Sequence, residues 1–69
     1  MALSETKTMF IYGLKNILKN KDTILAIALL LKSEKQMEVM LWWIHDHHKE
    51  NPDENLVIRI AKAISEQVE

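Results

Sequence analysis

Residues 33–54, SEKQMEVMLWWIHDHHKENPDE, hold one helix together with the signals that start and stop it. Ser33 followed three residues later by Gln36 reads as a capping box. The serine oxygen accepts from the third backbone N–H, and the glutamine reaches back to the cap. From Met37 to Ile44 apolar residues recur at helical spacing, and the helix continues through His45-Asp46-His47-His48 to about Glu50. Asn51-Pro52-Asp53-Glu54 then marks a boundary, with Asn51 as the cap of a following helix, Pro52 at its first position and acids in its first turn.

Downstream, residues 52–67 form an amphipathic helix. Leu56, Val57, Ile60, Ile64 and Val68 share one face, and Arg59, Lys62 and Glu66 the opposite one. Upstream, residues 23–32 are apolar all round: Ile24, Leu25, Ile27, Leu29, Leu30 and Leu31 point in every direction, separated only by Ala26 and Ala28. A helix with no polar face is expected at the centre of a fold, so this one is read as the hub. Asp22 or Thr23 is its expected cap, with the turn near residues 19–22.

A first helix over residues 5–19 follows from Ser4 as N-cap, with Phe10, Leu14, Ile17 and Leu18 on one face and Leu3 and Ile11 at its edges. Lys7 falls within that stripe and must snorkel. Gly13 costs about 1 kcal/mol in mid-helix and is read as tolerated rather than required. The expected architecture is therefore an all-α bundle of four short helices (5–19, 23–32, 34–50, 52–67) in a single domain, 1–69, with the second helix central.

Composition agrees with a folded globule, since 48% of the 69 residues are hydrophobic and 28% charged. Nine basic residues against ten acidic ones leave a formal charge of −1, so no general attraction to phosphate is built in. With no cysteine there is no thiolate metal cage and no redox chemistry. The first residues, Met1-Ala2-Leu3-Ser4-Glu5, do not resemble an export signal, and the longest apolar run, Ile24 to Leu31, is too short to span a bilayer. A cytoplasmic, non-membrane protein is expected.

Function is read from the third helix, which carries two apolar stripes. Met37, Met40, Leu41, Ile44 and His48 can face a core. Val39, Trp42, Trp43 and Asp46 point largely away from it. Indoles at such positions are typical interface anchors, so Val39, Trp42, Trp43 and Asp46 are the expected partner-binding residues, in a homodimer or a complex with another protein. The expected function is a non-enzymatic protein–protein interaction module: a small adaptor, inhibitor or regulator.

The sequence admits two other readings. The second and third helices can be drawn as a degenerate helix-turn-helix of a nucleic-acid-associated regulator, but Glu34 and Glu38 stand where phosphate would approach, which disfavours nucleic acid as partner. The cluster His45, His47 and His48 invites a metal, with Asp46, Glu50 or a ligand from a second subunit to complete the set; a positive helix end that answers the negative pole of the dipole is the preferred explanation. Adjacent residues on a helix diverge by about 100°, so Asp46 cannot orient His45 or His47 as a triad would, and no catalytic residue, cofactor or small-molecule substrate is expected.

Overall fold

A computed structural model describes residues 5–68. Among these, the chain forms four α-helices and no strand: α1 (Glu5–Ile17), α2 (Lys21–Leu30), α3 (Glu34–His47) and α4 (Glu54–Gln67), with a 3-10 turn over His48–Glu50. No helix of the described residues is long and apolar enough to cross a membrane. Ser4, the expected first cap, and Leu3 lie outside the described residues.

The helix ends follow from side-chain chemistry, not always at the expected residue. Asn20 caps α2, its side-chain oxygen accepting from the Asp22 N–H at 2.9 Å. The helix so begins two residues earlier than expected, and Asp22 joins its first turn, where the dipole favours an acid. The capping box on α3 is present: Ser33 Oγ accepts from Gln36 N at 3.1 Å, and Gln36 Oε1 accepts from Ser33 N at 3.3 Å.

Asn51 plays a different part from the one expected of it. It takes a left-handed conformation, φ 49°, and its N–H donates to the His48 carbonyl at 3.3 Å. Asparagine accepts that conformation more readily than most residues, and Pro52 disfavours right-handed helical geometry in the residue before it. Asn51 therefore ends the preceding helix instead of capping the next. Asp53 holds the cap position of α4, without a side-chain hydrogen bond, and Pro52 stands outside the helix.

Principal helix contacts run α1–α3, α3–α4, α4–α2 and α2–α1, which closes a ring around one core. Each helix contributes to it: Phe10, Leu14 and Leu18, the last just beyond α1; Ile27 and Leu31, the latter capping α2; Met37, Met40 and Ile44 of α3; Val57, Ala61 and Ile64 of α4. On α4 the buried line runs through Ala61. Leu56, expected inside, stays 39% exposed, and Ile60 is half-buried.

This ring corrects the expectation that the second helix is the hub. Only Ile27 of α2 is buried, while Leu25 and Leu29 are 59% and 66% exposed. In a ring of four, each helix turns one arc inward, so an apolar surface that goes all the way round must leave the rest outside.

Gly13 faces a close neighbour. A Cβ built there would lie 3.1 Å from Leu41 Cδ2 and 3.6 Å from Ile44 Cδ1, so the missing side chain lets α1 approach α3 closely. Leu41 is half-buried at the edge of an open groove, and its methyl group has room to yield. Gly13→Ala is therefore expected to raise the melting temperature by a few degrees, because the helix gains about 1 kcal/mol in propensity. Gly13→Val, with branched carbons against both Leu41 and Ile44, is expected to cost about 1–3 kcal/mol. Thermal unfolding followed by circular dichroism checks both signs, and a Gly13→Ala variant that melts well below the wild type would show that Leu41 cannot give way.

Candidate interaction surface

The outer side of α3 is set by helical spacing. Glu34, Glu38, Leu41, Trp42 and His45 follow i, i+4, i+7, i+8, i+11, which stacks them along one face. Since α1 packs beside that face, the two helices enclose an open groove of about 340 Å³ lined by Thr6, Met9, Glu38, Leu41, Trp42 and His45. Trp42 is 62% exposed and Met9 61%. The groove is thus apolar at its centre, with a carboxylate towards one end and an imidazole towards the other.

Partner-binding residues expected from sequence are not gathered on one surface. Trp42 turns toward α1 and the groove. Val39 and Trp43 are half-buried and pack against the core cluster. Trp43 also lies parallel to the His47 ring, centroids 4.5 Å apart and 18° between planes. Asp46 is exposed, with its Oδ1 3.5 Å from His45 Nδ1. Consecutive residues on a helix point about 100° apart, so the two indoles part company at the boundary between core and solvent.

Thr6, Met9, Glu38, Leu41 and His45 line the groove but are not among the partner-binding residues expected from sequence. For Glu38, Leu41 and His45 a signal existed in their regular spacing about Trp42. Thr6 and Met9 had none, because only the placement of α1 beside α3 brings them to the groove.

Two of the three histidines bind their own helix end. Nδ1 of His47 lies 2.8 Å from the Trp43 carbonyl and Nδ1 of His48 lies 2.9 Å from the His45 carbonyl. A carbonyl only accepts, so each Nδ1 carries the hydrogen. Among the described residues no group of three or more His, Cys, Asp or Glu side chains could hold a metal ion. No buried side-chain nitrogen or oxygen among them lacks a hydrogen-bond partner either, so the interior keeps no polar group waiting for a ligand.

Comparison with protein-family models, with curated proteins and with solved structures finds no match. Function must therefore be argued from the surface itself.

At the start of α3, Gln36 and Met37 are buried, so Glu34, Lys35 and Glu38 are what that end presents to solvent. Two carboxylates beside one ammonium give this end the wrong sign for a phosphate backbone. A second apolar groove lies between α1 and α2, lined by Ile11, Lys15, Lys21, Ile24, Leu25 and Ala28. It has no aromatic anchor. Tyr12 stands outside it, under the Lys15 ammonium, 5.8 Å from the ring centre.

Proposed function

We propose that this chain is a non-enzymatic, cytoplasmic protein–protein interaction module, a small adaptor, inhibitor or regulator, that docks through the α1–α3 groove around Trp42. One observation carries the reading: an indole held 62% exposed beside Met9 and Leu41, at the centre of a groove with polar ends. An indole has roughly 150–250 Å² to bury. Covering about 100 Å² more of it yields roughly 2–3 kcal/mol at 25 cal/mol per Å². Tryptophans so placed, ringed by contacts that exclude water, are where binding energy concentrates.

A photo-cross-linking amino acid tests the reading in the native host. Placed at position 9, where Met9 lies exposed on the groove wall and the Trp42 indole is kept, it is expected to give a discrete covalent adduct. At position 59, where Arg59 lies exposed on α4, it is expected to give none. Equal labelling at the two positions, or no adduct from position 9, would remove the case for a binding role.

A further inference from the structure

We propose that the partner received by this groove is a second copy of the chain, packed antiparallel along α3 about a two-fold axis between Leu41 and Trp42; the proposal rests on the groove being a binding surface. The outer face of α3 reads acidic, apolar, basic. Glu34 and Glu38 occupy its first half, Leu41 and Trp42 its middle, and His45 the second half, with Lys49 beyond in the 3-10 turn.

A two-fold interface uses one patch twice, so residue i meets residue j and j meets i. Two antiparallel copies of one helix pair residues whose numbers have a constant sum. With the axis between 41 and 42, Leu41 opposes Trp42, and Glu38 opposes His45, each pair occurring twice. Glu34 opposes Lys49 in the same register. The antiparallel registers one turn either way each keep a single kind of carboxylate–cation pair, Glu38 with Lys49 or Glu34 with His45, and move Trp42 off the apolar centre, onto His45 or onto the buried Met37. A parallel pairing would place Glu38 on Glu38. Charge pattern and apolar centre thus select the same arrangement, which also sets the two helix dipoles in opposition.

The groups around the pairing site permit it. From α1, the groove residues Thr6 and Met9 carry no charge. On α3, His45 has the Asp46 carboxylate at 3.5 Å and the Trp42 ring edge-on at 6.0 Å. The Asp46 contact is made by exposed side chains, so it is weak and competes little. An interface of about 800 Å² per partner is standard, which is roughly one-sixth of this chain's 5188 Å² surface and fits one side of the bundle.

Charge exchange tests the register, because all the substituted side chains are exposed and helicity can be confirmed for each variant. Sedimentation equilibrium of the wild type is expected to show a dimer. Glu38→Lys and His45→Glu, each alone, lose two favourable contacts per dimer and are expected to weaken it about tenfold. Mixed one to one, they restore Lys–Glu and Glu–His pairs across the axis, and association is expected to return to the wild-type level. A dimer that ignores both substitutions, or a mixture no tighter than its components, overturns the antiparallel arrangement. A wild type that stays monomeric at millimolar concentration while position 9 cross-links to a different protein overturns the second copy as partner and leaves the module reading intact.

Discussion

Replacing Phe10 with alanine is expected to lower the melting temperature by roughly 15–30 °C and to leave a largely unfolded chain at 37 °C. Phe10 is fully buried, and together with Leu14 and Leu18 it forms the inward line of α1 and of the residue that follows it. Removing a buried phenyl group costs about 3–5 kcal/mol, part as lost transfer energy and part as the cavity left behind. A domain of 69 residues has about 3–10 kcal/mol in total. Each kcal/mol shifts the midpoint of so small a domain by about 4–8 °C, so the loss removes about a third or more of the fold's margin. Phe10→Leu, which refills most of the space, is expected to cost about 1–1.5 kcal/mol. Thermal circular dichroism of the two variants checks the assignment; a Phe10→Ala midpoint within 5 °C of the wild type is incompatible with a phenyl group at the centre of the core.

A comparable loss is expected at Gln36, for a different reason. This side chain is only 9% exposed and ties two distant parts of the chain together. Its Oε1 accepts from Lys32 N at 2.8 Å as well as from Ser33 N, while its Nε2 donates to the Val68 carbonyl at 2.6 Å and to the Ser65 carbonyl at 3.4 Å. The amide so closes the start of α3 and holds the end of α4 against it. Gln36→Leu keeps the volume but strands those backbone groups, and leaving buried groups unpaired costs about 1–3 kcal/mol each where water cannot reach them. A total loss of about 2–4 kcal/mol is expected.

Gln36→Glu separates the two halves of the clamp. The acceptor to Lys32 and Ser33 survives, but an ionised carboxylate facing two carbonyls cannot donate and is repelled. Only the protonated acid restores a donor, so folding raises the affinity of this group for its proton. The deficit against wild type is then smallest below about pH 4, where the unfolded chain's carboxyl is also protonated. It grows as pH rises, and is largest at neutral pH. Urea titrations of both proteins at pH 4 and pH 7 read this directly. Equal deficits at the two values would mean that the amide's donor half contributes nothing.

The local features are legible along the chain. Ser33 and Gln36 signal the start of α3 because a capping box is closed within four residues. Phe10, Leu14 and Leu18 recur at the spacing of one helix face, and all three are buried. Asn51-Pro52 marks a break in the sequence, but the asparagine belongs to the helix before it and not to the one after, since asparagine can serve either as an N-cap or in a left-handed stop. The outcome depends on how the chain must turn to bring α4 back against α3.

At the candidate surface, Trp42 was legible as a tryptophan on a second stripe, whereas its separation from Trp43 was not. Both lie near the edge of the buried arc, and a shift of the helix by a fraction of a turn decides which indole faces the core. Similarly, nothing in the run from Ile24 to Leu31 marks Ile27 as the buried residue or Leu25 and Leu29 as exposed ones.

Periodicity, caps and the single proline were enough to establish the four helices and their breaks, because hydrogen bonds and side-chain spacing over three or four residues carry that information. Contacts between residues far apart in the chain settled the rest. Gly13 admits Leu41, Thr23 donates its hydroxyl hydrogen to the Glu54 carboxylate, Gln36 reaches Val68, and α2 gives up the centre to a ring in which no helix is the hub. A helix with several apolar faces is locally indifferent to which one it buries. The choice belongs to the neighbours that arrive from elsewhere, and it is what leaves Trp42 in the open.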